Sequence, residues 1–356
     1  MAFLDLRALK EIVVTGGAGF AGSHVVDMLL ARCPDAHIRV LDALARSADL
    51  SNLRRAFESG RVSLFHGDTG NPEAVNRVTE GVDLIVDLAA ETSADRAFAN
   101  PAHVHAAMVT GIQVLADAMR RNAVPLMLHM GSAAVYGRSA AQACGEDAPL
   151  LPKSPLAAAK AAAEMVIRSQ QEAYGLDIRI LRPVTIAGER QQDGRILPAF
   201  IGQALSGRPL TIHGSGQQRR CFIAVSDFCD ALATVLSAGA PSGVYNAGTA
   251  EEYSAIELAD MVLAAAPSSD AGYIAIRDRP AQDMRRVVDT TALEALGWSP
   301  RSSLAAILPD LISDSARRLD MRHRQKLSSV PTLDPAGGRT GEMPADAREK
   351  QTLTRH

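Results

Sequence analysis

Along the first two-thirds of the chain, short apolar runs alternate with amphipathic or alanine-rich stretches. "EIVVT" (11–15), "HIRVLD" (37–42), "VSLFH" (62–66), "DLIVDL" (83–88), "PLMLHM" (125–130) and "DIRILR" (177–182) have the length and β-branched content of buried strands. Residues 21–32, 101–122 and 155–174 read as helices between them. In the last, Ser154 is a good N-cap, Pro155 suits the first helical position and Gly175 supplies a stop. Strands alternating with helices predict a doubly wound parallel sheet covered on both faces. After Gly188 the rhythm breaks into polar loops and short strands, which predicts a smaller second domain over 189–317, with 243–250 returning to the main sheet. Beyond about residue 318 apolar residues thin out, and 318–356 is expected to be a disordered tail.

Composition narrows the class. The 356 residues are 47% hydrophobic with a formal net charge of −3, enough apolar material for a sizeable core and no sign of a nucleic-acid or membrane-surface partner. Cys33, Cys144, Cys221 and Cys229 are scattered without metal-ligand or disulfide spacing, as expected of reduced thiols in a cytoplasmic protein. No signal segment and no run long enough to span a bilayer is read.

The first chemistry-bearing motif is "VVTGGAGFAGSHVV". Gly16, Gly19 and Gly22 follow a strand and open a helix, where backbone can approach a pyrophosphate and meet it with free N–H groups. The second strand ends in Asp42, about 20 residues past the last glycine, where an acid binds a ribose 2′-hydroxyl and repels a 2′-phosphate. These features predict a Rossmann-type NAD-binding domain over residues 1–188. Asp68, closing the third strand, is a candidate for the adenine amino group.

On "TGGAGFAGSH", "LAAETSADRAFANP", "GSAAVYG", "SPLAAAKAAAE", "LRPVTIAGERQ", "GSGQQRRCFIAVSD", "YNAG" and "LGWSP", residues 10–316 resemble the extended short-chain dehydrogenase/reductase family of nucleotide-sugar epimerases and dehydratases. The resemblance implies NAD as cofactor, with Phe20, Leu88 and Ala89 joining the glycines, Asp42 and Asp68 around it. It implies a nucleotide-diphosphate sugar as substrate, met by Ser132, Arg220 and Arg279. It also implies a homodimer through the helices at 101–122 and 155–174. In that family a Tyr-x-x-x-Lys pair removes a hydroxyl proton while hydride leaves for NAD, and the lysine holds the nicotinamide ribose. A phenol titrating near 10 needs about 4 kcal/mol of electrostatic help to act at neutral pH.

Lys160 stands at the lysine position, but Leu156 occupies that of the tyrosine. Ala133 and Ala134 replace the Asp-Glu pair of 4,6-dehydratases, Met108 an asparagine, Thr185 and Ala187 an Asn and a Tyr, and Asp87 a histidine. The cofactor half is kept and the catalytic half is edited. The expectation is an NAD-dependent epimerase/dehydratase-type enzyme, epimerisation by default, in which Ser132 and Lys160 are joined by a replacement acid–base group. Tyr136 and Glu91 are the candidates for that group. The other expectation is a catalytically silent relative that binds NAD and a nucleotide sugar as a sensor or partner protein. His129 reads as a satisfied core histidine. His103 and His105, two apart on a helix, do not read as a metal pair.

Overall fold

The computed structural model describes residues 4–45, 48–137, 143–237, 243–266, 272–278, 280–281 and 284–328. The strands, in chain order, begin with β1 (Glu11–Thr15), β2 (His37–Asp42), β3 (Val62–His66), β4 (Leu84–Asp87), β5 (Met127–Met130) and β6 (Ile178–Pro183). They continue with β7 (Thr185–Ala187), β8 (Leu210–His213), β9 (Arg219–Ala224), β10 (Val244–Ala247), β11 (Glu252–Ser254), β12 (Tyr273–Ile276) and β13 (Arg285–Arg286). The helices of the first half are α1 (Phe20–Arg32), α2 (Arg54–Glu58), α3 (Pro72–Val78), α4 (Ala94–Ala99), α5 (Pro101–His105) and α6 (Gly111–Arg121). The later ones are α7 (Pro155–Tyr174), α8 (Ile196–Leu205), α9 (Val225–Ser237), α10 (Ala255–Ala265), α11 (Thr291–Glu294) and α12 (Leu304–Ser328).

Seven parallel strands form the main sheet in the order β10-β6-β5-β4-β1-β2-β3. Strand addition reverses direction between β1 and β4, and in such sheets the crevice at the carboxyl ends of that pair receives the ligand. Ile12, Val14, Leu84, Val86 and Leu128 point to one face and pack with Val25, Val26 and Leu29 of α1. Val13, Ile85, Met127, Ile178 and Ile180 point to the other, against Ile112, Leu115 and Met119 of α6 and Ile167 of α7. Towards the carboxyl ends this second face turns polar at the same two-residue period: Thr15, Asp87, His129 and Arg182, all buried. Lys160 and Glu164, one turn apart on α7, are the buried charged residues of the covering helix.

Smaller sheets follow β6. β7 and β13 pair in parallel with β9, β11 antiparallel, and β8 pairs with β12. Leu197, Phe200, Ile201, Leu210, Phe222 and Leu258 give this part its own core.

Two elements differ from the sequence expectation. The stretch 101–122 is not one helix: a π turn at Ala106–Thr110 separates α5 from α6. The wide turn changes the phase, so Val104 and Met108 join a cluster with Ala97 of α4 and Ala159 of α7, while Ile112, Leu115 and Met119 face the sheet. Helix α12 also runs past residue 318 to Ser328, through "RRLDMRHRQKL", whose Arg, Leu, Met, Gln and Lys favour helix without needing a core. The expected tail at 329–356 lies outside the described residues.

No disulfide joins the cysteines. Burial pushes the Cys33 and Cys221 thiols up to about 11 and Cys229 to about 12. Peptide mapping after brief iodoacetamide treatment at pH 7.5 is expected to find these three unmodified in the folded protein, and modified after denaturation.

Candidate cofactor and catalytic site

β1 ends at Thr15 and α1 begins at Phe20, leaving Gly16–Gly19 to turn the chain at the carboxyl end of the sheet. Gly16 has φ +65°, and a Cβ there would lie 3.0 Å from Ala89 Cα and N and from Leu88 O. A Cβ on Gly22 would lie 2.1 Å from Gly16 O, so helix and turn approach more closely than any side chain permits. Gly19 is the N-cap residue and makes no side-chain cap, which leaves the first-turn amides and positive dipole end of α1 to a ligand. Buried Asp42 accepts from Ala18 N at 2.9 Å and from Leu44 N at 2.8 Å, tying the turn to β2. This cradle fits a dinucleotide pyrophosphate. Phe20 sits at its edge, T-shaped on His24 with ring centroids 5.7 Å apart. Asp68 is exposed and accepts from Gly70 N at 2.7 Å.

Lys160 is buried on α7 with its Nζ donating to Met130 O, the last residue of β5, at 2.5 Å. Burial pushes the ammonium below the usual lysine range, and the charges of Asp87 and Glu164 pull part of that back. Asp87 is fully buried too. Burial raises its carboxyl, but hydrogen bonds from His129 and Thr15 and the Lys160 charge outweigh that and hold it below the ordinary carboxylate range. A second buried network lies beneath the Ser132 turn. Arg182 makes a fork to Glu164 at 2.6 and 3.1 Å, and its Nη1 donates to Tyr136 Oη at 2.7 Å and Glu146 O at 3.0 Å.

Residues 12–248 match the model of the NAD dependent epimerase/dehydratase family. The chain belongs to this family. A dTDP-glucose 4,6-dehydratase of Streptomyces niveus is 34% identical over 303 residues, covering 83% of this chain and 89% of that protein. The trifunctional UDP-glucose 4,6-dehydratase/UDP-4-keto-6-deoxy-D-glucose 3,5-epimerase/UDP-4-keto-L-rhamnose-reductase of Arabidopsis thaliana is 34% identical over 301 residues. That match covers 83% of this chain but only 45% of the plant protein. Among solved structures, the dTDP-glucose 4,6-dehydratase of Streptomyces venezuelae, with NAD and TYD bound, superposes with a TM-score of 0.85 at 31% identity. It covers 87% of this chain and 98% of that one.

Within this member of the NAD-dependent epimerase/dehydratase family, the position one turn before Lys160 is apolar in three dimensions as well as in sequence. Leu156 and Ala90 pack against Val104, Met108, Ala97 and Ala159. Ser132 opens the turn after β5, its Oγ accepting from Ala134 N at 3.1 Å. The two replacement acid–base candidates are corrected by their surroundings. Tyr136 is buried, donates to Asn246 Oδ1 at 2.8 Å and accepts from Arg182. Burial pushes its phenol up, against the pull of Arg182, so it braces the core instead of offering a tyrosinate. Glu91 accepts from Thr92 N and Ser93 N at 2.7 Å and forks onto Arg96 at 2.7 and 2.8 Å. Its carboxyl lies below the usual range because these donors outweigh its partial burial, and it serves as an ionised anchor at the start of α4.

Arg220 lies on β9, half-buried, with Nη1 donating to Arg219 O at 2.7 Å. Its register partner on β13 is Arg286, and Arg285 stands opposite Arg219. The pairing of "RR" at 219–220 with "RR" at 285–286 was not legible from spacing, because β13 is only two residues long. Arg279 lies outside the described residues. His129 is only partly the satisfied residue expected: Nδ1 meets Asp87 at 2.7 Å, while buried Nε2 has no partner among the described residues. His103 and His105 are both exposed on α5.

Proposed function

We propose that this chain is an NAD-dependent enzyme acting on a nucleotide-diphosphate sugar through transient oxidation of a ring carbon, with epimerisation as the outcome and a proton acceptor other than a tyrosine at position 156. The observation that carries the reading is buried Lys160, held at the end of β5 by Met130 O beside an uncapped glycine turn that no Cβ could enter. NAD, when bound, accepts a hydride from a hydroxyl-bearing carbon and can return it. The turn amides and the N-terminus of α1 take the pyrophosphate, and Asp42 takes the adenosine ribose. Lys160 takes the nicotinamide ribose, Ser132 a sugar hydroxyl, and Arg220 with Arg279 the substrate diphosphate. The part of the chain after Gly188 then serves as the substrate domain, and two copies form a homodimer. Light scattering is expected to return twice the chain mass.

Ala133 and Ala134 leave no acid at the turn after Ser132, which argues against ordinary 4,6-elimination. The packing of Leu156 on Met108 favours a second reading, a silent relative that binds both ligands without turnover. Incubation with NAD and a panel of nucleotide sugars in D2O, read by mass spectrometry and NMR, separates the two. A product without deuterium reports hydride return at the oxidised carbon, as in 4-epimerisation. Deuterium uptake reports exchange beside a ketone, and no turnover with NAD bound supports the silent relative. Leu156→Tyr is expected to raise 4-epimerase turnover at least about 100-fold, the scale of one positioned acid–base group. No gain in the same assay contradicts an intact sugar pocket.

A further inference from the structure

Nothing on its own helix balances the charge of Lys160. Glu164, one turn on, is committed to Arg182 through the 2.6 and 3.1 Å fork, and both of those side chains are fully buried. The other carboxylate acting on Lys160 is Asp87. Asp87 is clamped from both sides: Oδ1 accepts from Thr15 Oγ1 at 2.5 Å and Oδ2 from His129 Nδ1 at 2.7 Å. Thr15, Asp87 and His129 are direct register partners on β1, β4 and β5. Thr15 Oγ1 also accepts from Leu88 N and Ala89 N at 3.1 Å, the strand end against which Gly16 packs. One hydrogen-bonded row therefore links the glycine turn, the buried carboxylate and the neighbourhood of the lysine.

We infer that Asp87 is the counterion that keeps Lys160 an ammonium, and that Thr15 and His129 are positioning residues which hold that carboxylate in place. The inference rests on the reading that Lys160 grips the cofactor ribose. A buried cation without a partner sheds its proton, and a neutral amine keeps one donor fewer and no charge for the dinucleotide. The side of Lys160 where the related enzymes carry a phenol is closed by Leu156. The balancing negative charge comes instead from the end of β4, where those relatives have a histidine.

The titratable and charged groups around Lys160 are Asp87 on β4, His129 on β5 and Glu164 on α7, with Arg182 of β6 and Tyr136 behind Glu164. Removing the Asp87 charge takes away an opposing pull and lowers the pH at which the ammonium is lost, by about one to three units. NAD affinity then disappears from the alkaline side first. NAD is titrated calorimetrically at pH 6.5 and pH 9.0 into wild type, Asp87→Asn, Lys160→Met and the double variant. Asp87→Asn is expected to bind within about threefold of wild type at pH 6.5 and at least about tenfold more weakly at pH 9.0. In the Lys160→Met background it is expected to change nothing. An equal loss at both pH values, no loss at either, or the same loss without Lys160 overturns the inference.

Should Asp87→Asn not fold, thermal unfolding of cofactor-free Lys160→Met against Lys160→Met/Asp87→Asn decides it. Lys160→Met leaves Asp87 uncompensated, so the double variant is expected to melt several degrees higher. A double variant that melts no higher overturns the pairing. Wild type that binds no NAD overturns the functional reading, whereas the cofactor-free comparison still decides the ion pair.

Discussion

Arg182→Met is expected to lower the unfolding midpoint by roughly 10 °C, the largest stability loss available from one side chain near the site. Arg182 is among the largest fully buried side chains, and every polar group on it is used. Methionine fills much of the volume but leaves Glu164 as a buried carboxylate without its partner, a defect worth about 3–5 kcal/mol. It also removes the donor to Tyr136, which is bonded in turn to Asn246 of β10, so the turn carrying Ser132 loses its support. A second substitution, Glu164→Leu, is expected to recover most of the loss, because a paired apolar replacement strands no charge. Thermal unfolding of the single and double variants checks both statements. A single variant within about 2 °C of wild type contradicts the assignment of this network as the support of the turn.

Gly22→Ala is expected to weaken NAD binding at least about 100-fold, equivalent to roughly 2.7 kcal/mol. The added methyl would meet Gly16 O at 2.1 Å and Gly16 C and Gly17 Cα at 2.8 Å. All three are backbone atoms, so the turn itself must move away from α1, and its amides lose their common aim. Gly202→Ala on α8 is the matched control, since a Cβ there meets nothing within 4 Å, and it is expected to leave binding unchanged. Calorimetric titration of both variants tests this. Equal affinities for wild type and Gly22→Ala contradict a cofactor seated on the turn.

Much of the scaffold could be read from the chain because its elements carry their own signals. Six strands of the main sheet were visible as apolar runs, and α7 as Ser154, Pro155 and Gly175, which the structure places at N-cap, first turn and a left-handed C-cap. The π turn was not legible, since "AAMVT" has helical composition and its register shift is imposed by packing on α4 and α7. Among the site residues, the glycines and Lys160 announced themselves by spacing. Tyr136 and Glu91 looked reactive by residue type, yet their partners, Arg182 and Asn246 for one and Arg96 for the other, come from tertiary geometry. Asp87 was visible only as an odd residue at the end of a strand. Its meaning depends on Thr15 and His129, 72 and 42 residues away in sequence, which meet it through strand register.

The central claim is that a dinucleotide lies across the Gly16–Gly22 turn with Lys160 on its ribose, although the phenolic neighbour of that lysine is gone. A crystal structure grown with excess NAD tests this most directly. The account predicts density for the pyrophosphate at the N-terminus of α1, with Lys160 Nζ bonded to nicotinamide ribose hydroxyls. A crevice that stays empty at saturating NAD, or a ligand that leaves Lys160 bonded to Met130 O alone, contradicts it.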